Sequence, residues 1–103
     1  MISVTFYKND GGFSGYEFSG HSDHAEEGFD IVCAAVSSAA YLTANNIIDV
    51  FREKADVTVE DGYMKLTVKQ AERAPELIEG LYRHMLQLSE QYKNDIKLKI
   101  SEV

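Results

Sequence analysis

The chain lacks several features that would assign it to a class at once. Its 103 residues include one cysteine, so an internal disulfide is impossible and a reducing cytoplasm is the expected compartment. No apolar run approaches the length of a membrane span, and no basic segment stands at the start, so neither a transmembrane helix nor a signal peptide is expected. Length and composition predict a single domain over residues 1–103.

Basic residues are also scarce. Ten Lys and Arg residues stand against 17 Asp and Glu residues, which gives a formal net charge of -7. Direct nucleic-acid binding needs clustered basic side chains, and here they are scattered along the chain, so it is not expected. A basic partner fits this charge better, although solubility alone explains most of it.

The first twenty residues predict a β-hairpin. Residues 2–7 alternate, with Ile2, Val4 and Phe6 on one face. Turn-forming residues fill positions 8–12, and a second alternating run follows at 13–20.

A second hairpin is predicted around the dipeptide Asp61-Gly62. A two-residue turn there pairs Glu60 with Tyr63. It also places Val59 opposite Met64 and Val57 opposite Leu66, so that these four side chains share one face.

Two helices and a final strand complete the pattern. Helical spacing runs from Asp30, a suitable N-cap, to about Phe51, with a stripe of apolar or small residues. The stripe consists of Val32, Val36, Ala39, Thr43, Ile47 and Val50. Pro75 suits the first turn of a second helix, and residues 96–100 alternate as a strand. The expected fold is therefore α+β: a two-layer sandwich in the order strand-strand-helix-strand-strand-helix-strand, with both helices on one face of a mixed or antiparallel sheet.

Cys33 is the strongest candidate for chemistry. It follows the predicted helix start by three residues, and a helix N-terminus lowers the pKa of a thiol through its N–H groups and its dipole. The same N–H groups could hold an oxyanion during acyl transfer. Cysteine is also among the most buried residue types, so from spacing alone a small core residue between Val32 and Ala34 is an equally good interpretation.

His21 is the candidate base for this thiol. It follows Gly20, which permits a close backbone approach, and it would take the thiol proton and later protonate the leaving amine. The alternative is a strand-end histidine without a catalytic role. His24 lies in an acidic stretch and His84 on the polar face of the second predicted helix, so both are weaker candidates.

Asp30 and Ser37 are candidate supporting residues. As an N-cap, Asp30 would fix the turn that presents Cys33, or it could be directed at His21. Ser37 lies one helical turn after Cys33 on the same face and could form a hydrogen bond in the site, although helical serines more often pack or bond their own backbone.

A zinc site is a weaker alternative. His21, Asp23, His24 and Cys33 are ligand types that suit zinc, but their spacing matches no compact zinc module. No glycine-rich phosphate loop joins a strand to a helix, so nucleotide binding has no support. No cofactor and no metal are expected.

Three segments together resemble one protein family. They are Gly20-His21-Ser22, then Gly28-Phe29-Asp30-Ile31-Val32-Cys33-Ala34-Ala35-Val36-Ser37, and Thr43-Ala44-Asn45-Asn46. They resemble the ribosomal-processing cysteine protease family, Prp, of Firmicutes and related bacteria. The resemblance covers essentially the whole chain in length and element order, and its specificity lies in the first half. Ser22 departs from the alanine usual in the family.

The resemblance implies a homodimeric cytoplasmic endopeptidase with a Cys-His dyad. Such an enzyme removes the N-terminal extension of a large-subunit ribosomal protein (the L27 family), cutting after a hydrophobic, Phe-containing stretch and before a small residue. Carried over by position, Cys33 is the nucleophile and His21 the base. Gly20 precedes the base, and Asp30 and Ser37 stand at motif positions whose roles are less defined.

Two expectations concern the substrate. The exposed stretch from Ser22 to Phe29 could close over it as a lid. Tyr16, Phe29 or Tyr41 could line a pocket for a Phe side chain.

Two other function classes stay open at this point. A non-catalytic ribosome-associated binding protein would tolerate Cys33→Ser, whereas a protease would not. A small redox or metal-binding protein is the third class.

Overall fold

The described part of the chain in this computed structural model is residues 1–20 and 29–103, with the backbone alone for Phe29 and Asp30. The elements follow the predicted order. They are β1 (Ile2–Asn9), β2 (Gly12–Ser19), α1 (Phe29–Asn45), a π-helical turn (Asn46–Val50), β3 (Lys54–Glu60), β4 (Tyr63–Gln70), α2 (Ala74–Gln91) and β5 (Ile96–Glu102).

The strands form one five-stranded mixed sheet in the order β3-β4-β2-β1-β5. Strands β1 and β5 run parallel, and the other neighbours are antiparallel. Apolar side chains from one face of this sheet and from both helices form a single core, because alternate residues of a strand point to the same side. The predicted α+β two-layer sandwich is confirmed.

The register predicted for the second hairpin is confirmed. Val59 pairs with Met64, and Val57 pairs with Leu66. The other edge of β4 pairs with β2, where Phe18 lies opposite Met64 and Ser19 opposite Tyr63. This pairing brings the β3–β4 turn next to the end of β2.

The predicted N-cap is wrong. Helix α1 already includes Phe29, so Asp30 is a residue of the first turn and does not precede the helix. An aspartate stabilises a helix both at the N-cap and in the first turn, because the free N–H groups and the positive end of the helix dipole act at both positions. The presence of Asp30 alone therefore does not determine which residue begins the helix. Cys33 is consequently one full turn into the helix.

The apolar stripe of α1 is interrupted near its end. Val32, Val36 and Ile47 are buried as predicted, but Val50 is 65% exposed. The cause is the π-helical turn, in which the Phe51 N–H donates to the Asn46 carbonyl at 2.9 Å. The wider turn rotates the following residues out of phase with the stripe.

The expectation that no run reaches the length of a membrane span is also wrong. The helical segment from Ile31 to Val50 has a mean hydropathy of 1.5 and is long and apolar enough to cross a membrane by length and composition. A core helix of a soluble protein meets the same criterion, and Val32, Val36 and Ala40 of this segment are buried in the core.

Candidate active site

A cavity of about 90 Å³ lies where α1 passes the end of β2 and the turn of the β3–β4 hairpin. Helix α1 lines it with Cys33, Val36, Ser37, Ala40 and Tyr41. The strands and the hairpin turn line it with Ile2, Phe18, Ser19, Gly20, Glu60, Gly62, Tyr63 and Met64. Four of the candidate residues singled out in the sequence, Gly20, Cys33, Ser37 and Tyr41, are therefore brought together at one cavity.

Cys33 is half-buried and packs against the core while it lines the cavity. Its Cα–Cβ bond leans toward the helix N-terminus, as in every α-helix, and so toward the first turn with its N–H groups. Since the dipole effect falls off within the first turn, its influence at Cys33 is smaller than the sequence led us to expect.

Gly20 closes the cavity at the end of β2. Its N–H donates to the Gly62 carbonyl at 2.9 Å, which ties β2 to the hairpin turn. Its φ is +127°, and a Cβ there would lie 2.5 Å from the Met1 carbonyl oxygen. Only glycine fits this position without strain, so Gly20 serves the shape of the cavity wall.

A buried hydrogen bond positions α1 over the sheet. The hydroxyl of Tyr16 donates to the Ala40 carbonyl at 2.8 Å, and Tyr16 is fully buried. Burial raises the pKa of Tyr16. Because Ala40 lines the cavity two turns after Cys33, this bond fixes the helix beside the site.

Tyr63 at the cavity is held in its neutral form. Its hydroxyl donates to the Glu17 carboxylate at 2.5 Å, and the Tyr7 hydroxyl donates to the same carboxylate at 2.7 Å. The hydrogen bond to Glu17 is the main cause that raises the pKa of Tyr63 to about 12. The same two phenols lower the pKa of Glu17. Tyr63 is thus unsuited to exchange protons near neutral pH.

His21 and the predicted zinc ligands Asp23 and His24 lie outside the described residues, as does most of the predicted lid from Ser22 to Phe29. Within residues 1–20 and 29–103 no group of three or more His, Cys, Asp and Glu side chains is placed to hold a metal ion. His84 is exposed on α2 and lines a separate groove between the helices.

The aromatic residues predicted to line a substrate pocket lie in different places. Tyr41 lines the cavity and is 45% exposed, whereas Tyr16 is buried in the core. The side chain of Phe29 is not described. The sequence did not predict that Glu60 and Tyr63 line the cavity. The hairpin register placed them opposite each other, but it does not predict that β4 also pairs with β2, which brings them near α1.

Comparison with known proteins identifies the family. A model of the family described as cysteine protease Prp matches residues 1–97. The ribosomal processing cysteine protease Prp of Bacillus subtilis is 28% identical over 107 residues, covering 95% of this chain and 96% of that protein.

Solved structures agree with this match. The S. aureus ribosomal processing protease Prp with a substrate peptide has a TM-score of 0.90 at 26% identity, covering 98% of this chain and 100% of that chain. The same protease with a covalently linked product peptide has a TM-score of 0.86 at 28% identity and the same coverage. The chain therefore belongs to the cysteine protease Prp family and is a cysteine protease.

Proposed function

We propose that the protein removes the N-terminal extension of a large-subunit ribosomal protein of the L27 family, with Cys33 as nucleophile and His21 as base. The observation that carries the proposal is the position of Cys33, half-buried at a cavity whose wall ends at Gly20, the residue before His21. The names of the relatives, which are ribosomal processing proteases, support the substrate class. The cytoplasm, where thiols stay reduced, is the proposed compartment.

In the first half-reaction the Cys33 thiolate attacks the scissile carbonyl carbon. A C–S bond forms while the carbonyl π electrons move to oxygen, and backbone N–H groups at the start of α1 hold the resulting oxyanion. The intermediate collapses with cleavage of the C–N bond. The imidazolium of His21 donates its proton to the leaving amine, which leaves a thioester on Cys33.

The second half-reaction hydrolyses the thioester. His21, now neutral, takes a proton from water, and the hydroxide oxygen attacks the thioester carbonyl. The second oxyanion collapses with cleavage of the C–S bond, so the carboxyl product leaves and the Cys33 thiolate and the His21 imidazolium are restored. No metal or cofactor takes part in this scheme.

The test is cleavage of a peptide that spans the extension junction, followed by mass spectrometry. We expect one cut by the unaltered protein, a loss of about 10⁴-fold in rate for Cys33→Ala, and about 10²–10⁴-fold for His21→Ala. Unchanged cleavage by Cys33→Ala would exclude Cys33 as the nucleophile. Loss in Cys33→Ala alone would exclude His21 as the base.

Two adjacent serines provide a matched control. Ser37 lines the cavity, whereas Ser38 is an exposed residue of α1 that lines the separate groove between the helices. We expect Ser37→Ala to lower kcat/KM by a few fold, consistent with one lost hydrogen bond of about 1 kcal/mol. Ser38→Ala should leave it unchanged, and equal effects would remove Ser37 from the site.

We further propose that the protein is a homodimer joined through α1. From Ile31 to Ile48 the chain carries no charged side chain, although 26% of all residues are charged. Part of this segment faces outward, with Ile31 68% and Leu42 60% exposed. A helix without a charged face is normally buried, and a second copy offers the same uncharged surface in return.

Sedimentation equilibrium tests the dimer. Leu42→Lys should shift the protein toward monomer, because it places a charge in the apolar contact. The control Val59→Lys alters a 48% exposed residue on the hairpin and should leave the mass unchanged. A monomer at all micromolar concentrations, or a dimer indifferent to Leu42→Lys, would contradict this interface.

A further inference from the structure

The face of the sheet that points away from the helices carries a hydrogen-bonded cluster that the reaction scheme does not use. Its centre is the Glu17 carboxylate, which accepts the Tyr63 hydroxyl on one oxygen at 2.5 Å and the Tyr7 hydroxyl on the other at 2.7 Å. All three residues alternate with core residues along their strands, so their side chains point away from the core. The cluster therefore lies on the opposite side of the sheet from Cys33 and reaches the cavity only through the backbone.

The two phenols are attached to different parts of the fold. Tyr63 is the first residue of β4 and directly follows the turn that forms one wall of the cavity. Tyr7 belongs to β1 and pairs with Gly15, in the middle of β2. Glu17 and Tyr63 are diagonal neighbours on β2 and β4, a spacing that long side chains can bridge. Their hydrogen bond therefore ties the turn to β2, three residues before Gly20.

The backbone ladder between β2 and β4 ends at this place. Its register ends with the pair Ser19 and Tyr63, and beyond it the Gly20 N–H donates to the Gly62 carbonyl at 2.9 Å. The end of a ladder opens more readily than its centre, because fewer neighbouring bonds hold it. A side-chain hydrogen bond to a carboxylate is stronger than one between neutral groups, so it stabilises this end. Both Gly20 and Gly62 line the cavity.

We propose that Glu17 and Tyr63 are positioning residues of the active site, whose hydrogen bond holds the β3–β4 turn against the end of β2 and so fixes the cavity wall beside Cys33. Gly20 lies in that wall and directly precedes His21, the proposed base. A wall that opens therefore displaces the point of the chain from which the base extends. This inference rests on the proposed protease activity.

The first test compares Tyr63→Phe with the matched control Tyr7→Phe. Each variant keeps the ring and deletes one hydroxyl that donates to the same carboxylate. We expect Tyr63→Phe to lower kcat on the junction peptide about tenfold, the size of one hydrogen bond to a charged group, with a much smaller change in KM. Tyr7→Phe should lower kcat less than about twofold, since its bond does not involve the turn.

Two outcomes of this comparison would overturn the proposal. Equal losses of kcat in Tyr63→Phe and Tyr7→Phe, measured well below both melting temperatures, would mean that the cluster only stabilises the sheet. A loss confined to KM would mean that the turn affects peptide binding and does not position the base.

Variants of Glu17 show whether its carboxylate acts through Tyr63. Glu17→Ala should lower kcat as much as Tyr63→Phe does, and the double variant should be no slower than either, because one interaction cannot be lost twice. Glu17→Gln keeps a neutral acceptor for the phenol and should restore part of the rate. Losses that multiply in the double variant would show that the two side chains act independently and would overturn the proposal.

Amide hydrogen exchange at Gly20 separates this inference from the proposed activity. Its N–H is bonded to the Gly62 carbonyl, so it exchanges when the end of the ladder opens. We expect about tenfold faster exchange in Tyr63→Phe and no comparable change in Tyr7→Phe. This result without any cleavage by the unaltered protein supports the tie between the turn and β2 and rejects the proposed reaction. Unchanged exchange in Tyr63→Phe rejects the positioning role, and cleavage by the unaltered protein then leaves the protease in place.

Discussion

Removing the Tyr16 hydroxyl tests the contact that positions α1 over the sheet. Tyr16→Phe deletes the donor to the Ala40 carbonyl, a bond of 2.8 Å, and leaves the ring in place beside Phe6 and Phe18 at centroid distances of 6.2 and 5.5 Å. The Ala40 carbonyl also has a helical N–H partner four residues on, so it is not left without a hydrogen bond.

The expected cost follows from these two facts. A neutral hydrogen bond contributes about 1 kcal/mol net, and no large cavity opens because the ring contacts remain. For a domain of this size, that loss lowers Tm by about 5 °C. Thermal and chemical unfolding would measure it, with Tyr41→Phe as the control, because the Tyr41 side chain is exposed and its hydroxyl should change stability by less than about 0.5 kcal/mol.

Two outcomes would refute the reasoning on Tyr16. A loss above about 3 kcal/mol would mean that the hydroxyl supports more than one partner. No loss would mean that α1 is held over the sheet by apolar packing alone. Cleavage well below Tm should continue in Tyr16→Phe, because the hydroxyl does not line the cavity.

Further predictions concern two glycines, Gly20 and Gly80, and two titratable groups, the Glu17 carboxylate and the Tyr63 hydroxyl that bonds to it. Gly20→Ala should lower the free energy of unfolding, measured in urea, by about 3 kcal/mol, because its φ is strained for alanine and the new Cβ meets the Met1 carbonyl. A loss below about 1 kcal/mol would contradict this close approach. Gly80→Ala in α2 meets nothing within 4 Å and should gain up to about 1 kcal/mol. Because folding lowers the pKa of Glu17, this carboxylate stabilises the fold above its ordinary pKa of 4.5, and the stabilisation is lost as pH falls through the lowered value. The difference in free energy of unfolding between the unaltered protein and Glu17→Gln should therefore disappear in acid. The raised pKa of Tyr63 has the opposite sign: its contribution, measured against Tyr63→Phe, should be lost between pH 10.0 and about 12.

Local patterns were sufficient for the elements and much of their pairing. Alternation at Val57, Val59, Met64 and Leu66 together with a two-residue turn defined the hairpin register, because one face had to be buried. The helical stripe failed at Val50, since the π-helical turn depends on contacts that the spacing of apolar residues does not encode.

The sequence by itself determined the α+β class, the element order and the candidate residues Gly20, Cys33 and Ser37, because these follow from periodicity, turn chemistry and short motifs. Only the tertiary structure decided that Glu60 and Tyr41 share a cavity with Cys33. That arrangement requires β4 to pair with β2 on one side and with β3 on the other. Pairing between strands that are distant in sequence depends on the packing of the whole core, so no local stretch of sequence predicts it.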